Sequence, residues 1–222
     1  MLTKQHPSAG PAATEAQPAA GESALAQLTS YRVKPTHQAA FRQALSEYVT
    51  SALNLPGNIM AEAYTELDKP DVFWLIERWR DQAQREDYQK SYPATAVARL
   101  AEEALAAPAE LLLVHDLEPL SKEDWLRAPA ASDQPLTVML FVDAVAGTGP
   151  EFRRRYHAAM PQIRQEAGIV TYQLTQVQGS EGKFITYEKF RNAQALQDHL
   201  KFSFVGPILD FLHTSITNPP FE

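Results

Sequence analysis

Residues Asp71–Tyr88 read DVFWLIERWRDQAQREDY. Val72–Trp79 is rich in aromatic and branched side chains, the composition of a buried strand. Asp81 then opens a polar stretch and suits the N-cap of a short helix running through Tyr88. The pattern returns at Gly182–His199, GKFITYEKFRNAQALQDH. Phe73 and Phe184, Glu77 and Glu188, and Trp79 and Phe190 are each 111 positions apart. A constant offset across a strand and the helix after it indicates one architectural unit used twice.

Working outward, Leu25–Pro35 is expected as a strand, followed by a helix with Thr36 as its N-cap. Phe41, Leu45, Tyr48 and Ala52 recur at helical spacing and give that helix one apolar face. Leu55–Pro56–Gly57 stops it, with Gly57 suited to a left-handed cap or a turn. Asn58–Leu67 is a second strand, and a turn at Asp68–Asp71 leads back to Val72–Trp79. Pro93–Ala106 is a helix ended by Pro108, and Leu111–Leu117 is a fourth strand. Residues 119–134, with Pro119, Pro129 and many charges, form a linker in which Trp125 pins the chain to a domain surface.

The second unit starts at Leu136–Val145, a strand. Thr148–Gly–Pro–Glu151 fits a capping box for the next helix, which carries Phe152, Tyr156, Ala159 and Ile163 on one face. Pro161 should kink that helix or mark its last turn, and Gly168 stands 111 after Gly57. Two strands, Ile169–Val177 and Lys183–Phe190, flank the turn Gly179–Gly182. Asn192 takes the capping place of Asp81, and Pro207 lies in the final helical stretch. The counterpart of Leu111 is Glu222, so the second unit is expected to lack the last strand.

The order β-α-β-β-α-β, used twice, is the ferredoxin-like α+β arrangement. The domain reading is 1–23 a disordered tail, 24–118 a first domain, 119–134 a linker and 135–222 a second domain. Residues 1–23 are dominated by Ala, Pro and small polar residues, which cannot offset the entropy of ordering. A sheet with helices on one face leaves its other face open. Here that face would bear Val72, Trp74 and Ile76, an apolar patch that soluble monomers rarely expose. Packing the two sheets face to face removes it, predicting an intramolecular pseudo-dimeric α/β barrel with Trp74 in its interior.

Net charge is −7, which disfavours a nucleic-acid partner. The absence of cysteine excludes disulfides, thiolate metal sites and cysteine nucleophiles, and weakly favours the cytoplasm. No apolar run approaches the roughly 20 residues of a membrane span, and the N-terminus has no secretory apolar core. His37, His115, His157 and His213 are scattered, without metal-ligand spacing, so no metal is expected. No GxGxxG, P-loop or GxSxG motif occurs.

The element order, the helix ending in LPGNIM (residues 55–60) and the runs ERW-(x)8-Y and EKF-(x)8-H resemble the antibiotic biosynthesis monooxygenase (ABM) family. That family is a dimeric α/β barrel of ferredoxin-like type, and this chain resembles two of its subunits fused, able to act as a monomeric pseudo-dimer or to form a homodimer. The resemblance implies a pocket between sheet and helices in each half. By alternation, Phe73, Leu75, Glu77 and Trp79 face it in the first half, and Phe184, Thr186, Glu188 and Phe190 in the second. Tyr88 or His199 would lie over it.

These residues carry two readings each. Glu77 and Glu188 are a base or anchor, or structural acceptors. His199 is an acid/base group near neutral pH, or a surface helix residue. Tyr88 hydrogen-bonds a phenol or quinone, or simply packs. Trp79 stacks on a flat substrate, or belongs to the core. Family members that oxidise polyketide-type phenols carry an Asn four residues before the strand-end Trp; Leu75 and Thr186 stand there, and Phe190 replaces the second Trp. Haem-degrading members need a His spaced differently from the strand Trp.

On its His and its more polar strand, the second half is the expected active one. The resemblance implies cofactor-independent oxidation of a small aromatic or quinol-type substrate by O2. The alternatives are a non-catalytic module binding a small hydrophobic molecule, and an isomerase or lyase on the same scaffold.

Overall fold

The computed structural model describes residues 24–217. The expected tail, 1–23, and the final Asn218–Glu222 lie outside the described residues. The first half runs β1 (Leu25–Arg32), a 3-10 turn (Pro35–His37), α1 (Gln38–Leu53), β2 (Asn58–Thr65), β3 (Val72–Trp79), α2 (Gln82–Gln89), α3 (Tyr92–Ala104) and β4 (Glu110–Asp116). A short helix, α4 (Lys122–Trp125), interrupts the linker. The second half follows with β5 (Leu136–Asp143), α5 (Gly149–Ile163), β6 (Ile169–Val177), β7 (Lys183–Phe190), α6 (Ala193–His199) and α7 (Gly206–Thr214).

The strands form one curled antiparallel sheet in the order β2-β3-β1-β4-β6-β7-β5. β4 is the hinge of this order. Its Val114 pairs with Ala26 of β1 on one side and with Val177 of β6 on the other. The last strand of the first half thus sutures the two halves.

The internal repeat extends to backbone detail. The β2–β3 register shifts between Asn58 and Met60, and the β6–β7 register shifts between Ile169 and Thr171, each 111 later. Arg80 N–H donates to Gly57 O at 2.9 Å, and Arg191 N–H donates to Gly168 O at 2.9 Å. Asp81 accepts from Gln84 N at the head of α2, and Asn192 accepts from Ala195 N at the head of α6. Val33 bridges Leu105 and Ala144 bridges Ile216 in the same antiparallel sense. In the first half that bridge leads into β4. Among the described residues no strand follows it in the second half, so no strand pairs with the outer edges of β2 and β5, and β5 is met only at its end, where Thr217 N–H donates to Asp143 O at 2.8 Å.

Three apolar cores result. The first lies between α1, α2, α3 and their sheet, around Phe41, Leu45, Phe73, Leu75 and Trp79. The second lies beneath α5, α6 and α7, around Phe152, Tyr156, Phe184, Phe190 and Phe211. The third draws on both halves and fills the barrel: Ala26, Leu28, Met60, Ile76 and Val114 meet Ile185 and Tyr187, with Trp74 packed at its margin. This is the face-to-face burial that the apolar back of β3 requires.

Several local expectations are corrected. Trp125 does not sit on a domain surface; it is buried in the barrel. The Arg78 guanidinium lies 4.0 Å from the centre of its ring, and Tyr187 meets it edge-on at 5.5 Å. Arg78 is itself held by Asp116 through two bonds of 2.7 and 2.9 Å, so the buried cation has both a carboxylate and an aromatic face.

Thr148 forms no capping box. Its hydroxyl donates to Val145 O, while Glu151 is drawn to Arg154 and Arg155 on the same helix. Thr36 caps nothing, because a 3-10 turn precedes α1 and its hydroxyl meets His37 Nδ1 at 3.0 Å. Gly57 is not left-handed; only Gly147 and Gly179 have positive φ among the described residues. What Gly57 and Gly168 provide is close approach. A Cβ on Gly168 would lie 2.6 Å from Ala195 Cβ of α6, and one on Gly57 would run into the Gln84 side chain of α2. Pro161 sits in the last turn of α5, and Pro207 in the first turn of α7, where a missing N–H costs little.

Candidate functional site

Alternation along β3 turns Phe73, Leu75, Glu77 and Trp79 toward the helices, and along β7 it does the same for Phe184, Thr186, Glu188 and Phe190. All eight are buried. They do not converge on one pocket in either half. Phe73 packs on Phe41, with the Arg42 guanidinium 5.6 Å from its ring, near the start of α1. Trp79 lies six residues away, about 20 Å along an extended strand. There it packs 5.2 Å from Tyr88. Leu75, between them, belongs to the packed core. In the second half Phe184 packs on Phe152 at 4.9 Å, while Phe190 packs on His199 at 5.3 Å.

Glu77 is the centre of a closed network. Its Oε1 accepts from the Tyr48 hydroxyl at 2.6 Å and from Trp79 Nε1 at 3.0 Å, and its Oε2 accepts from Gln27 Nε2 at 2.8 Å. Burial and the neighbouring Glu77 charge push the Tyr48 phenol far above its ordinary pKa, so it stays a donor. Gln89 Nε2 donates to the same Tyr48 oxygen at 2.8 Å. Tyr88 donates to Tyr48 O at 2.6 Å, and burial raises its pKa as well. This half is open. A cavity of about 490 Å³ is lined by Trp79, Tyr88, Gly57, Ser51 and Gln84. Glu77 stands directly behind its Trp79 wall.

The second half differs. Glu188 accepts from the Tyr172 hydroxyl at 2.9 Å. Tyr172 comes from β6, whereas Tyr48 comes from α1, so the carboxylate is kept while its phenol partner changes element. Phe190 supplies no indole donor. Burial raises the Glu188 pKa above 4.5, with Thr186 and His199 working against it. His199 Nδ1 lies 2.9 and 3.1 Å from the two oxygens of Glu166. With Glu166 ionised, the proton between them sits on Nδ1. Burial raises Glu166, and His199 opposes that shift. The imidazole is wedged between Tyr172 and Phe190, at 5.6 and 5.3 Å. Among the described residues, the walls of the Trp79 cavity and of the four other cavities compared with it include neither Glu188 nor His199, nor Glu77 itself. The expectation that the second half holds the working pocket meets a His199 held by Glu166 and packed between Tyr172 and Phe190.

The partners Tyr48, Gln27, Tyr172 and Glu166 were not among the candidate residues. Tyr48 had a signal: it places a polar tip on the apolar face of α1, opposite a strand glutamate. Glu166 had none, since it comes from the turn between α5 and β6. The barrel interior also holds an unforeseen polar cluster. Glu62 is bonded by Lys189, Tyr64 and Tyr187, and the two tyrosine hydroxyls are 2.8 Å apart. Among the described residues no group of three or more His, Asp or Glu side chains is placed to hold a metal ion, and no helix is long and apolar enough to cross a membrane.

No curated protein matches the sequence. Two solved structures share the fold over nearly their whole length. A presumed monooxygenase of Lactobacillus acidophilus aligns with a TM-score of 0.73 at 10% identity, covering 89% of this chain and 90% of its own. A presumed monooxygenase of Fusobacterium nucleatum aligns at 0.74 and 13% identity, covering 89% of each chain. At such identities the likeness shows the tandem barrel and nothing of its chemistry. The family model described as antibiotic biosynthesis monooxygenase matches residues 24–100 and 135–202, the two repeats and well over half of the sequence. The chain belongs to the antibiotic biosynthesis monooxygenase family.

Proposed function

We propose that this protein is a cofactor-independent monooxygenase whose working pocket is the first-half cavity at Trp79 and Tyr88. Its substrate is a small aromatic molecule of the anthrone or quinol type. The observation that carries this is the 490 Å³ cavity, large enough for two or three fused rings, with an indole wall backed by a buried carboxylate. Trp79 is fully buried at the base of the cavity with Tyr88 packed on it, so a flat substrate would stack on the indole only with Tyr88 displaced. Glu77 fixes the indole through Nε1, and Tyr48 and Gln27 fix Glu77. This is a positioning network rather than an exposed base.

Oxidation of an anthrone illustrates the balance. The methylene carbon loses two hydrogens and gains one oxygen atom as a carbonyl. The second oxygen atom leaves with those hydrogens as water, and four electrons pass from substrate to O2. The protein's part is to bind the ring system and orient it for reaction with O2. Within one chain the two halves supply the pairing that separate subunits supply in a dimer.

A second reading is a binding module for the same class of molecule. It is favoured by the engagement of every candidate group: Glu77 accepts from three donors, and the Tyr88 proton is given to Tyr48 O. Oxygen uptake with a panel of anthrones and hydroquinones separates the two. The monooxygenase reading requires uptake with one atom of labelled O2 in the product, abolished by Trp79→Ala. Binding without uptake across the panel rejects it in favour of the module.

A further inference from the structure

The pseudo-symmetry leaves one seam of the barrel unlike the other. At the first, β4 is hydrogen-bonded to both β1 and β6. At the second, between β2 and β5, side chains span the gap: Thr137 Oγ1 lies 3.3 Å from the Tyr64 hydroxyl, and Trp74 packs 5.3 Å from Phe141. A cavity of about 770 Å³ opens there. Its walls include Trp74, Phe141, Met139 and Leu136, and Lys189 and Tyr64 reach it from the barrel interior. It lies on the opposite face of the sheet from the Trp79 cavity.

We infer that this seam is a second binding site, for an uncharged flat aromatic molecule bearing a carbonyl oxygen. Trp74 donates its Nε1 to Glu66 at 3.0 Å, which fixes the indole plane beside Phe141. Two rings on one wall suit a flat apolar body. At the inner end, the Lys189 ammonium carries three N–H donors, and Glu62 takes one. The Lys189 side chain is only 12% exposed, so an oxygen acceptor in the cavity would bond to a donor nearly shielded from bulk water. Lys189 is neutralised by Glu62, and Lys69 at the rim by Glu66. Asp68 adds a further negative charge to the lining. That balance selects a neutral carbonyl over a carboxylate. The inference is independent of the oxygenase reading, which concerns other residues.

Equilibrium dialysis of the full chain with coumarin, against naphthalene as the skeleton without a carbonyl, tests it. Wild type should bind coumarin more tightly than naphthalene. Lys189→Met should weaken coumarin about tenfold, as loss of a charged hydrogen bond gives, and erase the preference. Phe141 is 44% exposed, so Phe141→Ala should fold normally and weaken both probes, which keeps the test readable if Lys189→Met is unstable. Lys189 and Phe141 line this seam and not the Trp79 cavity, so affinity lost in their variants reports on the seam alone. Absence of coumarin binding, or retention of full affinity in Phe141→Ala, would overturn the assignment.

Discussion

Tyr48 donates to Glu77 across 2.6 Å, joining the middle of α1 to the inner face of β3. This bond ties the Trp79 wall to the helix above it. Truncating the carboxylate leaves Tyr48, Gln27 and Trp79 with buried donors and no acceptor. Glu77→Ala should therefore lower stability by about 2–4 kcal/mol in urea unfolding. Glu77→Gln keeps one carbonyl acceptor and should cost clearly less. Equal losses in the two variants would mean that packing, not the acceptor, matters at this position.

Glu188 should make stability fall as pH rises. Burial raises its folded pKa above 4.5. Below 4.5 both folded and unfolded chains hold the proton, so the fold bears no charge penalty. As pH climbs from there through the raised folded value, the unfolded chain ionises first and gains free energy relative to the fold. Above that range the penalty is constant. Glu188→Gln removes this titration while leaving an acceptor for Tyr172. The difference in unfolding free energy between variant and wild type should move in the variant's favour as pH rises above 4.5. A difference independent of pH would show that Glu188 is not held in the manner described. Glu166, also raised by burial, is coupled to the Glu188 charge, so its own titration contributes to the difference.

How much of this was legible in the sequence depended on what repeats. Phe73/Phe184 and Glu77/Glu188 recur at one offset because the fold requires an apolar strand with a polar acceptor beneath a helix in each half. Alternation then gave their face correctly. The suture of β4 to β6 was not legible, because nothing in Val114 or Val177 specifies a partner 63 residues away over other apolar strands. Trp125 was misplaced for a similar reason: the Arg78–Asp116 pair that receives it comes from β3 and β4. The first-half cavity was hidden because it depends on side-chain volume at its walls, where Gln84, Tyr88 and Ser91 stand in the places of Ala195, His199 and Phe202.

The Arg78–Asp116 pair should be costly to break and cheaper to replace. Arg78→Met leaves Asp116 without its partner inside the barrel and should destabilise by about 3–5 kcal/mol. The double variant Arg78→Met/Asp116→Leu should recover a substantial part of that loss, read by chemical denaturation. No recovery would indicate that the Trp125 contact, which both variants lose, carries the effect.

The two glycines at equivalent positions should respond differently to a methyl group. Gly168→Ala meets the Ala195 Cβ at 2.6 Å, on a helix that must move as a body, and should cost about 1–3 kcal/mol. Gly57→Ala meets the end of the Gln84 side chain, which can swing away, and should cost less. Thermal unfolding of the two variants side by side measures the contrast, and a larger loss at Gly57 would contradict it.

Oxidation of an aromatic substrate in the Trp79–Tyr88 cavity, and not beside His199, can be read from O2 consumption in single turnover with an anthrone by three proteins: wild type, Ser51→Phe and His199→Ala. Ser51 lines the cavity, so a phenyl group there occupies the substrate's place. Uptake is expected from wild type and from folded His199→Ala, and none from folded Ser51→Phe. Uptake that survives in Ser51→Phe and disappears in His199→Ala would contradict that expectation.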